Sequence, residues 1–206
     1  MKLNNLELII PFLNFRNPGD YYFLQILKRR KENPDLGKDM VHLRDYYIFS
    51  VDDLTRRIPE IEDLCNRENA RAYFRMNVRN SKKTSLETLR RLADLIASGN
   101  YDAGWRAWAS CSGEFHSDPD KKWIVDVDWK DLDRKSDLSQ ILTLVENLQS
   151  EAGRIPMVEL IPTLNGTHII CRPFNLKKFR DVFPNVDVHK DNPTILYASY
   201  SNESKI

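Results

Sequence analysis

The amino-acid sequence predicts an α+β protein: a ferredoxin-like antiparallel sheet with helices, packed on a smaller N-terminal α/β module. Three observations carry this. From Trp123 onward, apolar segments of period two and period 3.6 follow one another in the order β-α-β-β-α-β, with one more strand added at the end. Between residues 46 and 100 a shorter strand–helix–strand–helix succession precedes it. The chain has 206 residues, 41% of them hydrophobic and 30% charged, which suits one large soluble domain or two small modules sharing a core.

Taken in order, residues 20–33 predict a helix, with Tyr22, Leu24, Ile26 and Leu27 ahead of a basic end, Lys28-Arg-Arg-Lys31, that a helix dipole would favour. Tyr46–Phe49 predicts a strand. Ser50-Val-Asp-Asp53 resembles a capping box opening a helix over 51–66, which Pro59 breaks or restarts. Arg71–Asn77 predicts a second strand. Leu86, Leu89, Leu92, Ala93 and Ile96 recur at helical spacing over 84–98, closed by Gly99-Asn100. Residues 100–121 are the least regular, with Trp105, Trp108, Cys111, Gly113, His116 and Asp118-Pro-Asp120. The strand ending at Asp128 and a helix over 137–151 come next. Met157–Pro162 and Thr167–Arg172 form two strands about a Leu164-Asn-Gly hairpin signal. A short helix over 175–182 and strands at 185–188 and 194–199 complete the order. Residues 1–45 then form an N-terminal helical segment ahead of a domain at 46–206. That domain divides into an α/β module at 46–100 and a four-stranded module at 122–199.

Net charge is only +1, so any affinity for nucleic acid must come from local basic patches. Three cysteines, Cys65, Cys111 and Cys171, are odd in number and show no CxxC spacing, which suits a reducing compartment and argues against a disulfide framework or a zinc ribbon. The first thirteen residues do not read as a signal peptide, and no apolar run reaches membrane-spanning length, so a cytoplasmic protein without membrane partners is expected.

The chemistry concentrates at Lys122-Trp-Ile-Val-Asp-Val-Asp128. An apolar strand ending in Asp-x-Asp points Asp126 and Asp128 the same way, roughly 6.5 Å apart at Cα. Two carboxylates so close oppose each other's ionisation unless a cation lies between them, and Mg²⁺ or Mn²⁺ prefers such oxygen ligands. The bland alternative is a pair of solvated strand-end acids in an acidic stretch that continues with Asp131, Asp133 and Asp137.

Thr163-Leu-Asn165-Gly166-Thr167-His168 reads either as a plain hairpin turn with an exposed histidine, or as a bend where a phosphate meets the backbone and His168 donates to it. Strand alternation puts His168, Ile170 and Arg172 on one face. Either Asp187 or Asp191, in Val186-Asp-Val-His-Lys-Asp-Asn-Pro-Thr194, supplies a third acid, unless both are surface residues. Arg71, Arg75, Arg79, Lys82 and Lys83 form a basic cluster, with Arg71 and Arg75 sharing a strand face with Tyr73. Guanidinium forks match phosphates and a tyrosine can stack on a base, although a solvated face would look the same.

In this order the pieces resemble the archaeo-eukaryotic primase superfamily, over residues 70–199. Its marks are an apolar strand ending in Asp-x-Asp, a small-x-His hairpin, and a further apolar strand with an Asp. Ile124-Val-Asp-Val-Asp128, Asn165-Gly-Thr-His168 and Asp191-Asn-Pro-Thr194 are similar to these in turn. The resemblance implies an RRM-like sheet packed on an α/β module, with metal-dependent nucleotidyl transfer from nucleoside triphosphates between them. It implies Asp126, Asp128 and Asp191 as ligands of Mg²⁺ or Mn²⁺, and His168 with Asn165, Gly166 and Thr167 at the triphosphate. Arg172, Lys177 and Lys178 would neutralise its charge, while Arg71, Arg75, Arg79 and Lys82 would hold a DNA or RNA template. Gly166 or Asn165 stands where the family usually has Ser, the stretch from His168 to Asp191 is short, and the zinc-binding insertion of cellular primases is missing. A minimal catalytic domain from a mobile element or phage would fit, with a helicase or other replication proteins as partners.

Two other readings use the same residues. A metal-dependent nuclease would activate water with the same carboxylates and need no triphosphate site. A non-catalytic RRM-like nucleic-acid-binding protein would display aromatics on the sheet face, where this strand displays Asp-x-Asp. Residues 105–120 could form a lid over the nucleotide. One Cys and one His, Cys111 and His116, are too few for a metal site of their own.

Overall fold

The computed structural model describes residues 2–114, 120–132 and 135–199. Its elements are β1 (Lys2–Asn4), α1 (Leu6–Ile9), β2 (Asp20–Arg29), β3 (Met40–Ile48), α2 (Val51–Glu68), β4 (Arg71–Arg75), β5 (Arg79–Asn80) and α3 (Ser81–Ala97). They continue with α4 (Ala107–Glu114), β6 (Trp123–Asp128), α5 (Lys135–Glu151), β7 (Val158–Pro162), β8 (Gly166–Cys171), α6 (Leu176–Val182), β9 (Asp187–His189) and β10 (Pro193–Ser199). The four-stranded sheet has the order β7-β8-β6-β9, antiparallel throughout. With β6-α5-β7-β8-α6-β9 along the chain, this is the ferredoxin-like arrangement, and the α+β class holds. Period-two alternation explains it: Val125, Val127, Ile169, Cys171 and Val188 turn to one face and bury Ile141, Val145 and Leu148 of α5 and Phe179 of α6.

The other sheet has six strands, in the order β1-β10-β4-β2-β3 with β5 beside β2. The N-terminal layer is therefore the larger one. Residues 20–33 are not a helix, and 1–45 are not a helical segment: β2 is a ten-residue central strand, and only α1 is α-helical there. The reason is double burial. Tyr22, Leu24 and Ile26 enter the main core, while Tyr21 and Phe23 pack on Tyr47 from the opposite face, Tyr21 also stacking on Trp108. A strand covered on both sides loses the polar alternation that separates it from a helix. The strand expected at 46–49 is the end of the longer β3.

The final strand, expected beside the ferredoxin-like sheet, crosses instead to the six-stranded one and lies between β1 and β4. Helix α2 runs through Pro59, which is exposed, so that water can satisfy the carbonyl it leaves free. Its start is capped as expected, with Ser50 Oγ accepting from the Asp53 N–H and the Asp53 carboxylate accepting from the Phe49 N–H. None of the described helices is long and apolar enough to cross a membrane.

The two sheets share one core, in which Ile124, Ile161 and Ile170 meet Ala72, Phe74 and Leu196. A polar lock closes the seam. Asn77 Oδ1 accepts from the Lys122 N–H at 2.7 Å, and its Nδ2 donates to Lys122 O at 3.0 Å and to Asp191 Oδ1 at 2.8 Å. Arg79, whose side chain is 0% exposed, donates from Nη2 to Asp191 Oδ2 at 2.6 Å and from Nε to Ser112 O at 2.8 Å. Arg75 Nη1 donates to Asp191 O at 2.5 Å.

Candidate active site

Strand β6 runs from the shared core into an open cleft. Ile124 is buried, while Asp126 and Asp128, two and four residues on and facing the same way, have side chains 37% and 39% exposed. Register then assembles the site. Asp126 lies opposite His168 on β8 and opposite Asp187 on β9, and directly opposed antiparallel residues share a face. His168 Nε2 stands 3.4 Å from Asp126 Oδ1, and His189 Nε2 is 3.9 Å from Asp126 Oδ2. The hydrogen bond from His168 holds the Asp126 carboxyl below its ordinary range. Partial burial opposes this, and the charges of His168, His189 and Arg29 assist it.

The other ring nitrogen of His168, Nδ1, is 2.8 Å from Oγ1 of the fully buried Thr194. When that hydroxyl donates to Nδ1, Nε2 carries the proton and faces the cleft. Thr194→Val, which keeps the shape and removes the hydroxyl, is expected to cost about 0.5–1.5 kcal/mol in denaturant melts. It should also broaden or shift the His168 imidazole resonances in NMR spectra, and Thr194→Ser should restore both.

The glycine of the hairpin has a steric duty rather than a turn duty. Gly166 pairs with Asp128, and a Cβ built on it would lie 1.9 Å from Val127 O and 2.9 Å from Asp128 Cα. Neither neighbour is a flexible side chain, so any larger residue must push β8 away from the strand that carries the acids. Gly166→Ala is expected to destabilise the fold by roughly 1–3 kcal/mol, at the upper end of overpacking effects, in chemical denaturation.

Facing the acids across a cleft of about 480 Å³ is a mainly basic wall, in which Asp39 stands among the cations. Arg29 and Lys31 come from β2 and the turn after it, and Arg71 and Tyr73 from β4. Asn165 lines the cleft beside the acids, and its backbone carbonyl accepts from the Trp129 N–H at 2.8 Å. Arg71 is ion-paired with Glu32 and donates to the Tyr73 hydroxyl at 3.4 Å, which Arg29 also reaches at 3.3 Å. The Tyr73 ring is packed with Leu27 and Ile195, so it anchors arginines rather than offering a face to a base.

Several expected site residues lie elsewhere. Asp191, Arg75 and Arg79 are engaged with one another in the lock between the sheets. Arg172 falls beyond the end of β8, where alternation no longer applies, and holds Asp120 Oδ1 at 3.0 Å and Ile155 O at 2.6 Å. Thr167 is buried on the helix-covered face and donates to Ile161 O at 3.2 Å. Lys178 pairs with Glu151 at 2.6 Å on the outer helices, and Lys82 is exposed on α3 and does not line the cleft. Cys111 is buried; His116, Asp118 and Asp133 lie outside the described residues, as does the middle of the expected 105–120 lid.

Sequence reasoning missed Arg29, Lys31, His189 and Thr194. The signal for the first two was the Lys28–Lys31 run, which a helix dipole seemed to explain. Asp126 and Asp128 line the cleft, and Asp187, opposite Asp126 on β9, lies on the same sheet face just outside that lining. All three are hard oxygen donors of the kind that Mg²⁺ or Mn²⁺ takes. Among the described residues no three His, Cys, Asp or Glu side chains already stand close enough to hold an ion, so these carboxylates would have to turn toward one. No family model, no curated protein and no solved structure matches the chain.

Proposed function

We propose that the chain is a metal-dependent nucleotidyltransferase of the primase-polymerase type, acting on nucleoside triphosphates against a DNA or RNA template. The observation that carries this reading is the pairing of two walls: carboxylates and an oriented histidine on one, Arg29 and Lys31 on the other. A cleft of about 480 Å³ is within the usual range for small-molecule sites.

Asp126 and Asp128, with Asp187 as third acid in place of Asp191, are the residues that would hold Mg²⁺ or Mn²⁺. Such an ion supplies Lewis-acid activation of a hydroxyl and neutralises phosphate charge. His168, held at Nδ1 by Thr194, would pass its Nε2–H from Asp126 to a phosphate oxygen once that carboxylate turns to the ion. Arg29, steadied by the Tyr73 hydroxyl that the Glu32-paired Arg71 also holds, and Lys31 present positive charge to the polyphosphate from the opposite side. Substrate orientation between two walls fixed on strands accounts for the positional share of the rate.

The test is binding of a labelled nucleoside triphosphate with Mn²⁺ to the wild type, to Asp126→Ala/Asp128→Ala and to His168→Ala. Metal-dependent binding in the wild type, lost in the double variant and weakened in His168→Ala, is expected. Binding indifferent to Mn²⁺, or none, would overturn the proposal. Mn²⁺-dependent cleavage of single-stranded DNA without triphosphate binding would assign the same acids to a nuclease.

A further inference from the structure

Helix α3 keeps the apolar stripe that the sequence predicts, and the fold does not cover it. Leu86, Leu89, Ala93 and Ile96 occupy one side at spacings of three, four and three residues, and all four are exposed. The opposite side, with Thr84, packs toward the domain, where the Tyr21 hydroxyl meets Thr84 Oγ1 at 2.8 Å. Tyr101 and Trp105 follow in the 3-10 segment Tyr101–Arg106, again outward, with the Arg106 guanidinium over the Trp105 ring. Exposures of 58%, 63% and 60% for Leu86, Leu89 and Ile96, and of 71% and 76% for Tyr101 and Trp105, leave roughly 600 Å² of apolar side chain open per chain. That is the upper limit of what a monomer usually shows, ~300–600 Å², and approaches the ~800 Å² that each partner buries in a standard interface.

The geometry points to a second copy of this chain as the occupant, with the two α3 helices paired antiparallel. The stripe is its own complement. Its spacings read the same in both directions, so a two-fold axis at the level of Arg91 sets Leu86 opposite Ile96 of the second copy. The same axis sets Leu89 opposite Ala93, a large residue over a small one, which lets the helices approach closely. Charge is compatible with this pairing. The axis sets each Arg90 about two residues from both Arg90 and Asp94 of the other copy, and Glu87 and Asp94 of its own helix, at 3.1 and 3.2 Å, already offset its charge. A strongly basic or acidic partner would find no single-sign surface on this flank, since it carries both signs.

This inference does not depend on the proposed activity, and its test needs none. Light scattering over a micromolar concentration series is expected to show the wild type moving to twice the chain mass. Leu89→Asp should remain at one chain mass with unchanged circular dichroism and melting, because Leu89 contributes nothing to the core. Leu89→Cys/Ala93→Cys should form an intermolecular disulfide under mild oxidation. Either single cysteine should not, because like positions stand too far apart for a bridge. A wild type at one chain mass throughout the series would overturn the inference and leave the stripe to a different protein. A dimer that survives Leu89→Asp would overturn it in favour of another face.

Discussion

Asp126→Asn is expected to lower template-directed nucleotide incorporation by at least about a thousandfold, with Asp187→Asn close behind and the melting temperature little changed in both. The asparagine keeps the shape and an oxygen for His168 but loses the charge that the site turns toward the cleft. Removal of one preorganised electrostatic contact in an active site typically costs about 10²–10³ in rate, and on the proposed reading Asp126 would also hold the ion, which puts its loss above that range. Asp187 discriminates between readings. It lies across from Asp126 on the edge strand β9, exposed and on the same face. The comparison to make is single-nucleotide extension by wild type, Asp126→Asn, Asp187→Asn and Asp191→Asn at a temperature where all four are folded. Full loss in Asp191→Asn with activity retained in Asp187→Asn would reverse the assignment of the third acid.

Arg79→Met and Asp191→Asn should each lower the free energy of unfolding by about 1–3 kcal/mol, less than the ~3–5 kcal/mol of a fully buried ion pair that loses its only partner, because Asp191 is partly exposed and Arg75 and Asn77 also hold it. The lock is dense. Arg79 reaches Asp191 Oδ2, Ser112 O and Asn77 O, and Asn77 in turn holds both backbone groups of Lys122. Removing Arg79 takes its N–H groups from Ser112 O and Asn77 O and leaves Asp191 to Arg75 and Asn77. The double variant Arg79→Met/Asp191→Asn should recover part of the loss, a coupling that urea denaturation of the four-protein cycle measures directly.

The ferredoxin-like half was legible because each strand there has one covered face and one that meets the cleft or the seam. Val125 and Val127 alternate with Asp126 and Asp128, and the hairpin and helix boundaries fall within two residues of expectation. Residues 1–45 were not, because Asp20–Arg29 is buried on both sides, and a period then carries no information, whereas α2, β4 and α3 fall where they were expected. The acids of β6 and His168 could be placed from local pattern alone. Asp191 could not, since what claims it is Arg79, 112 residues earlier in the chain, a pairing that no local spacing reports. The same holds for Arg172, which the end of β8 hands to Asp120, and for the α3 stripe, whose amphipathic period is identical whether the domain or another molecule covers it.

Strand β10 has one more consequence, for how the molecule comes into being. The six-stranded sheet holds Lys2–Asn4 against Tyr197–Ser199, and β10 separates β1 from β4. During synthesis, β4 emerges with one edge open and keeps it open until Pro193–Ser199 has followed it. The six-stranded layer is therefore not an early-folding unit, since the strand that completes its ladder beside β4 is made long after β4 itself. Slow refolding, with the exposed β4 edge as the point where aggregation begins, follows from that order of events.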